Sequence, residues 1–234
     1  MKKLLIIFLF TCLIPTLSFS DFKNIKKKAT ITKPEIIFPM PQNLKRCKTT
    51  ISVNPEFNHV TPVLKVEAPS GYGLDNRFNH AQNKFENFSF PCGGGNIEAC
   101  EHVKRVILDW AKSNAAQRTG PSDGEGRHWN DTLTVNLYIA SPMMAAYSFA
   151  KQVIEIPENE DKIIKDWFKR IVKKNEHLMY EYSNYKPESG AGGVPKRAHN
   201  HALSSAMSHM QLGILFNDNK LFRTAFKNFE AAIK

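Results

Sequence analysis

From Ile97 onward the apolar positions recur with the period of a helix, and loops rich in glycine and proline cut the run into segments of about 15 to 20 residues. A chain written this way buries its apolar stripes only by packing helix against helix. Val103, Ile107, Trp110, Ala111 and Asn114 mark a first helix from Ile97 to Gln117. A second, more apolar one runs from about Leu133 to Val153, with a kink expected at Pro142. The third, Asp161 to Tyr182, sets Ile164, Trp167, Phe168, Ile171 and Leu178 against a lysine-rich face. A fourth covers about His199 to Phe216, Asn217-Asp218-Asn219 supply a tight turn with an N-cap, and a fifth begins at about Lys220. Gly120, Pro121, Gly124 and Gly126 fill the first long connection, and Lys186 to Pro195 the second. The expected fold is all-α, built of antiparallel helical hairpins packed side by side, and no repeat identity marks it as a solenoid. Trp110 and Trp167 fall on apolar faces and are expected in the core.

The first 95 residues are written differently. Lys2 and Lys3 precede an apolar run from Leu4 to Leu17, and Ser18-Phe19-Ser20 offers a small-x-small cleavage site, so residues 1–20 read as a secretory signal. That run is shorter than the roughly 20 apolar residues needed to span a bilayer, and no later stretch approaches it. The expected location is therefore periplasmic or secreted, without stable membrane insertion. Residues 21–95 carry prolines at 34, 39, 41, 55, 62, 69 and 91, and read as an irregular arm and loops laid against a helical domain at 96–234.

Loss of Lys2 and Lys3 takes the formal charge from +10 to +8. A basic surface outside the cytoplasm suits an acidic polymer, although Lys23, Lys26, Lys27, Lys28 and Lys33 also read as a solvated terminal arm. Nucleic acid would use the same field, but neither a helix-turn-helix nor an RNA-binding aromatic motif is present, and export argues against that partner. With Cys12 gone, Cys47, Cys92 and Cys100 remain, enough for one disulfide in an oxidising compartment. Cys92 and Cys100 flank Gly93-Gly94-Gly95, while Cys47 is an alternative partner for either. No cysteine pair sits at metal-ligand spacing.

Chemistry concentrates at Lys196-Arg197-Ala198-His199-Asn200-His201. Basic side chains, an asparagine and free backbone amides converge where a glycine-rich loop enters a helix, and such a place attracts a carboxylate. Asn200 and His201 stand about 100° apart around that helix and can serve one group from two sides. Farther along, His201, Ser204, Ser205 and Ser208 form a polar stripe opposite Leu203, Met207, Met210 and Ile214. Two readings fit it: the stripe lines a cleft, or the serines face water while His201 caps the helix. His199, His201 and His209 make a poor metal set, because an i, i+2 pair points to nearly opposite sides. Trp129 beside Arg127 and His128 fits a sugar ring and its acid group, or a loop anchor.

The ordered set of Lys165-Asp166-Trp167-Phe168-Lys169, the Asn200-His201 pair, and Asn217 to Lys220 followed by Leu221, Phe222 and Phe226 resembles the alginate lyase family of exported uronate-polymer lyases. The resemblance covers roughly Ile97 to Lys234. It implies an incomplete α/α toroid and β-elimination at a uronic acid, with no metal or organic cofactor. Asn200 matches the family's carboxylate-neutralising asparagine, and His201 the histidine that neutralises the carboxylate or acts as base. Arg127, Trp129 and Arg197 are the candidate substrate-binding residues. Two departures stand out. His199 replaces the first asparagine of the usual Asn-Asn-His, and the family's catalytic tyrosine and supporting arginine have no counterpart before Lys234, so the sequence reads as interrupted there. None of Tyr138, Tyr147 and Tyr180 aligns with that tyrosine.

The expectation is thus a lyase-like protein acting on alginate or another polyuronate. A catalytically inactive remnant that binds acidic glycan is the alternative, and a helical-repeat protein that binds other proteins a third.

Overall fold

Asp75 opens the first helix by accepting the backbone N–H of Arg77. Helix α1, Asn76–Gly93, buries Phe78, Ala81, Phe85, Phe88 and Cys92, an alternating 3,4 spacing that makes one apolar face. The reading of residues 21–95 as an irregular arm is corrected over Asn76–Gly93. Asparagines and Pro91 mask the helix in the sequence, yet Pro91 falls in its last turn, where the break it imposes costs little.

The computed structural model describes residues 35–37, 60–66, 75–118, 134–173 and 198–233, all of them in the unit formed by 33–234. The expected signal segment 1–20, most of the arm and both long loops lie outside the described residues.

Gly95, at φ 85°, turns the chain, and Asn96 accepts the N–H of Ala99 to start α2, Ile97–Lys112. A disulfide joins Cys92 to Cys100 across this turn, with Cα atoms 4.6 Å apart, which leaves Cys47 outside the bond. The helix expected to reach Gln117 stops earlier. Asn114 and Ala116 take positive φ, and Gln117–Arg118 (β2) pairs in parallel with Lys65–Val66 (β1). Backbone amides satisfied by a strand thus win over the last helical turn.

Asn136–Ala140 form a π-helical turn that runs into α3, Ser141–Val153. Pro142 does not break the helix at its own position. Its ring crowds the carbonyl four residues back, and the wider π turn lies over that stretch. Helix α4, Glu158–Lys173, starts three residues before expectation, with Glu158, Glu160 and Asp161 in its first turn and Arg170 and Lys173 in its last, matching the helix dipole. Its expected extension over 174–182 is outside the described residues. Helices α5, Ala198–Leu215, and α6, Asn219–Ile233, follow, with Asp218 accepting the N–H of Leu221 as cap and Asn217 in the left-handed region.

Among the described residues, six α-helices, the π turn and one two-residue strand pair account for the regular structure, so the chain is all-α. None of these helices is long and apolar enough to cross a membrane. Contacts fix their directions. Asp75 N–H meets Thr134 Oγ1 beside one end of α1, and the Cβ position of Gly93 meets Phe149 at the other, so α1 and α3 run parallel. Lys104 faces Glu160 and Trp110 faces Trp167, so α2 and α4 run parallel too. Within the pairs α1–α2, α3–α4 and α5–α6 the second helix folds back on the first, as expected for hairpins, whereas Lys169 near the end of α4 meets Phe216 at the end of α5, so α5 does not fold back on α4.

The core centres on an aromatic chain. Phe78 meets Trp110 edge-on at 6.1 Å, Trp110 meets Trp167 at 6.4 Å, and Phe168 bridges Trp167 and Tyr147. Both indoles are fully buried, as expected, and each donates its N–H: Trp110 to the Val60 carbonyl and Trp167 to that of Ala115. The rings therefore fill volume and also tie two non-helical segments to the helices.

Candidate functional site

Asn200 and His201 occupy the third and fourth positions of α5, inside its first turn, where backbone N–H groups have no intrahelical acceptor. The expectation that the pair heads a helix is met. The directions of their side chains, and the whole of Arg197, Arg127 and Trp129, lie outside the described residues.

The rest of the helix shows which way the stripe faces. Ser204, Ser205 and Ser208 are buried, and Met207, assigned to the opposite apolar stripe, is 37% exposed. The reading that the serines face water is thereby corrected. Ser208 Oγ lies 3.0 Å from both Ser141 Oγ on α3 and the carbonyl of Ser204 one turn back. A hydroxyl that bonds its own helix is cheap to bury, and its small volume lets α3 approach closely. His209 is fully buried on the same helix with Nδ1 2.7 Å from the Ser205 carbonyl. A carbonyl only accepts, so Nδ1 carries the proton.

Facing α5 is the π turn. Ser141 N–H donates to the Asn136 carbonyl, the i to i+5 bond of a π helix, so Asn136 and Ser141 lie one above the other. Ser141 meets Ser208. The Asn136 amide is buried, and neither its nitrogen nor its oxygen has a hydrogen-bond partner among the described residues. Leaving such a group buried costs about 1–3 kcal/mol, so stability alone does not select it. Sequence reasoning passed over Asn136; an asparagine inside the apolar string Val135-Asn136-Leu137-Tyr138-Ile139 was the available signal.

A second polar cluster ties α3 to α4. Asp161 accepts from Tyr147 Oη, from Lys151 Nζ at 2.7 Å and pairs with Lys165 at 2.9 Å. Partial burial by itself pushes the Asp161 carboxyl up, but the hydrogen bonds from Lys151, Lys165 and Tyr147 outweigh it and draw it down to about 2. Burial, and then the bond to Asp161, push the Tyr147 hydroxyl well above the ordinary phenol range. Tyr147 is thus a fixed structural donor.

No group of three or more histidines, cysteines or acids among the described residues is placed to hold a metal. The arrangement presents a helix N-terminus carrying an amide and an imidazole, backed by an inward polar face. Free amide donors with neutral or cationic side chains can hold an oxyanion such as a carboxylate.

The family model described as alginate lyase matches residues 94–234, from the turn before α2 through α6. No curated protein and no solved structure matches the chain.

Proposed function

The chain belongs to the alginate lyase family, and from that membership we propose that it is an exported polysaccharide lyase that cleaves a polyuronate by β-elimination. The observation that carries this reading is the Asn200-His201 pair in the first turn of α5, inside the matched region. In the proposed reaction Asn200, with the free amides of that turn, holds the uronate carboxylate and stabilises the charge that develops when the C5 proton leaves. His201 either completes that carboxylate clamp or takes the proton as base. The C5–H and C4–O4 bonds break, C4 and C5 become doubly bonded, and the departing O4 takes up a proton. Arg127, Trp129 and Arg197 are proposed to hold neighbouring sugar residues through charge and stacking. The hairpins are proposed to form part of an α/α toroid, and residues 1–20 to direct export.

A second reading is an acidic-glycan binder that does not cut. The buried Tyr147 hydroxyl is committed to Asp161, so this tyrosine does not serve as the general acid of a cleavage reaction.

One experiment separates the two. Purified protein is mixed with polymannuronate or polyguluronate, and the ultraviolet absorbance of unsaturated uronate ends is followed, with His201→Ala alongside. The lyase reading expects a rise that His201→Ala reduces by at least about 10²-fold. A flat trace from folded protein that still binds the polymer overturns cleavage and leaves the binder.

A further inference from the structure

We infer that the outer face of α6 is a docking strip for the polyuronate chain, separate from the Asn200-His201 pair; the identity of its ligand rests on the proposed function. Between Lys220 and Glu230 the exposed residues of this helix are Lys220, Arg223 and Lys227, and all three are cationic. Their spacing of three and four residues places them in one row along the helix. None of the three has an ion pair among the described residues.

Several lysines elsewhere are neutralised where they stand. Lys104 pairs with Glu101, Lys151 and Lys165 with Asp161, and Lys162 with Asp166. Lys169 and Arg170 stand in the field of Asp166. The acids near the strip do not do this for α6. Asp218 is occupied in capping Leu221, and Glu230, half-buried, makes no ion pair among the described residues. Lys169 adds a further cation at the approach to the strip, its ammonium 5.7 Å from the Phe216 ring in the turn before α6.

A row of unpaired cations repels itself, and a polyanion lying along it relieves the repulsion by displacing counterions from both partners. A polyuronate carries one carboxylate per sugar, so a chain laid along the helix presents charge at intervals comparable to one helical turn. An anionic membrane is the less favoured partner. The opposite face of α6 is already spent on α5 through Phe222, Ala225 and Asn228, so no apolar face remains to enter a bilayer.

The test uses the full chain and three variants: Lys220→Gln/Arg223→Gln/Lys227→Gln, a control that removes the same charge as Lys84→Gln/Lys112→Gln/Lys162→Gln, and His201→Ala. Binding to long polymannuronate and to a uronate trisaccharide is measured by calorimetry at low and moderate salt, with anionic phospholipid vesicles as a further arm. The strip variant is expected to bind the long polymer at least tenfold more weakly at low salt, with a shallower salt dependence, and to handle the trisaccharide as the wild type does. The control is expected to stay within about threefold of the wild type, since its loss is only in the general field. A strip variant with unchanged melting temperature that binds the long polymer as tightly as the wild type overturns the inference. So does an equal loss in the control, and so does capture of vesicles but not of polyuronate. If His201→Ala abolishes cleavage while the strip variant alone loses polymer binding, both readings stand. If no cleavage is seen yet the strip variant loses binding, the strip stands and the lyase reading falls.

Discussion

Replacing Gly213 by alanine should destabilise the protein, although helix propensity alone argues the reverse. Gly213 lies inside α5, where alanine is favoured over glycine by about 1 kcal/mol. A Cβ at this position, however, would stand 2.8 Å from the backbone nitrogen of Phe222 and 3.0 Å from its Cα. Those are main-chain atoms of the facing helix, so no rotamer change relieves the overlap. The α5–α6 pair would have to separate, opening the contact around Ala206 and Ala225 farther along the interface. Overpacking of this kind costs about 1–3 kcal/mol, and with a rigid neighbour the upper part of that range applies. Subtracting the propensity gain leaves a net loss of about 1–2 kcal/mol, or a fall of roughly 2–8 °C in melting temperature for a domain of this size. Gly93→Ala is the control. Its Cβ would meet the Phe149 ring at 3.4 Å, close to ordinary contact with a side chain that can shift. Urea midpoints followed by far-ultraviolet circular dichroism decide the matter. A Gly213→Ala midpoint above that of the wild type would refute the close helix approach.

Two further perturbations follow. Asp161 has a folded pKa near 2, below its ordinary 3.8, so the stability it contributes is fully present above about pH 4 and lost as pH falls toward 2. Allowing for solvent screening of this partly exposed carboxyl, that contribution is roughly 1–2 kcal/mol. Asp161→Asn should flatten acid unfolding curves across that window, and an unchanged curve would show that the Lys151, Lys165 and Tyr147 bonds add nothing. Asn136→Leu should be neutral or raise stability by about 1 kcal/mol, because it replaces a buried amide without partners by an apolar side chain of the same branching. A loss above about 2 kcal/mol in a denaturation series would mean that this amide is hydrogen-bonded in solution.

The helices from Ile97 onward were legible because their apolar positions keep a 3.6-residue period and their ends carry caps and breakers. The α1 helix was not, since the run of prolines up to Pro91 argued for loop, and only the core that receives Phe78, Phe85 and Phe88 rewards the helical conformation. The Asn200-His201 position at a helix start was legible from the change of composition at Ala198. Asn136 was not. A single polar residue in an apolar string gives no sign of its own whether it is exposed, bonded or buried without a partner.

The sequence by itself determined that this protein is a set of helical hairpins, that Trp110 and Trp167 belong to its core, and that an amide and an imidazole stand at the head of one helix. Periodicity and capping are local, and local chemistry is what a sequence states directly. The tertiary structure decided which side of α5 turns inward, with Ser204, Ser205 and Ser208 buried and Met207 at the surface, because hydroxyls can bond their own helix and allow α3 close. It also decided that Cys92 joins Cys100, that Ala116 leaves the helix so that Gln117 and Arg118 can pair with a strand, and that Gly213 serves as the seat of Phe222. Each of these depends on atoms brought together from distant parts of the chain, and no residue carries that information alone.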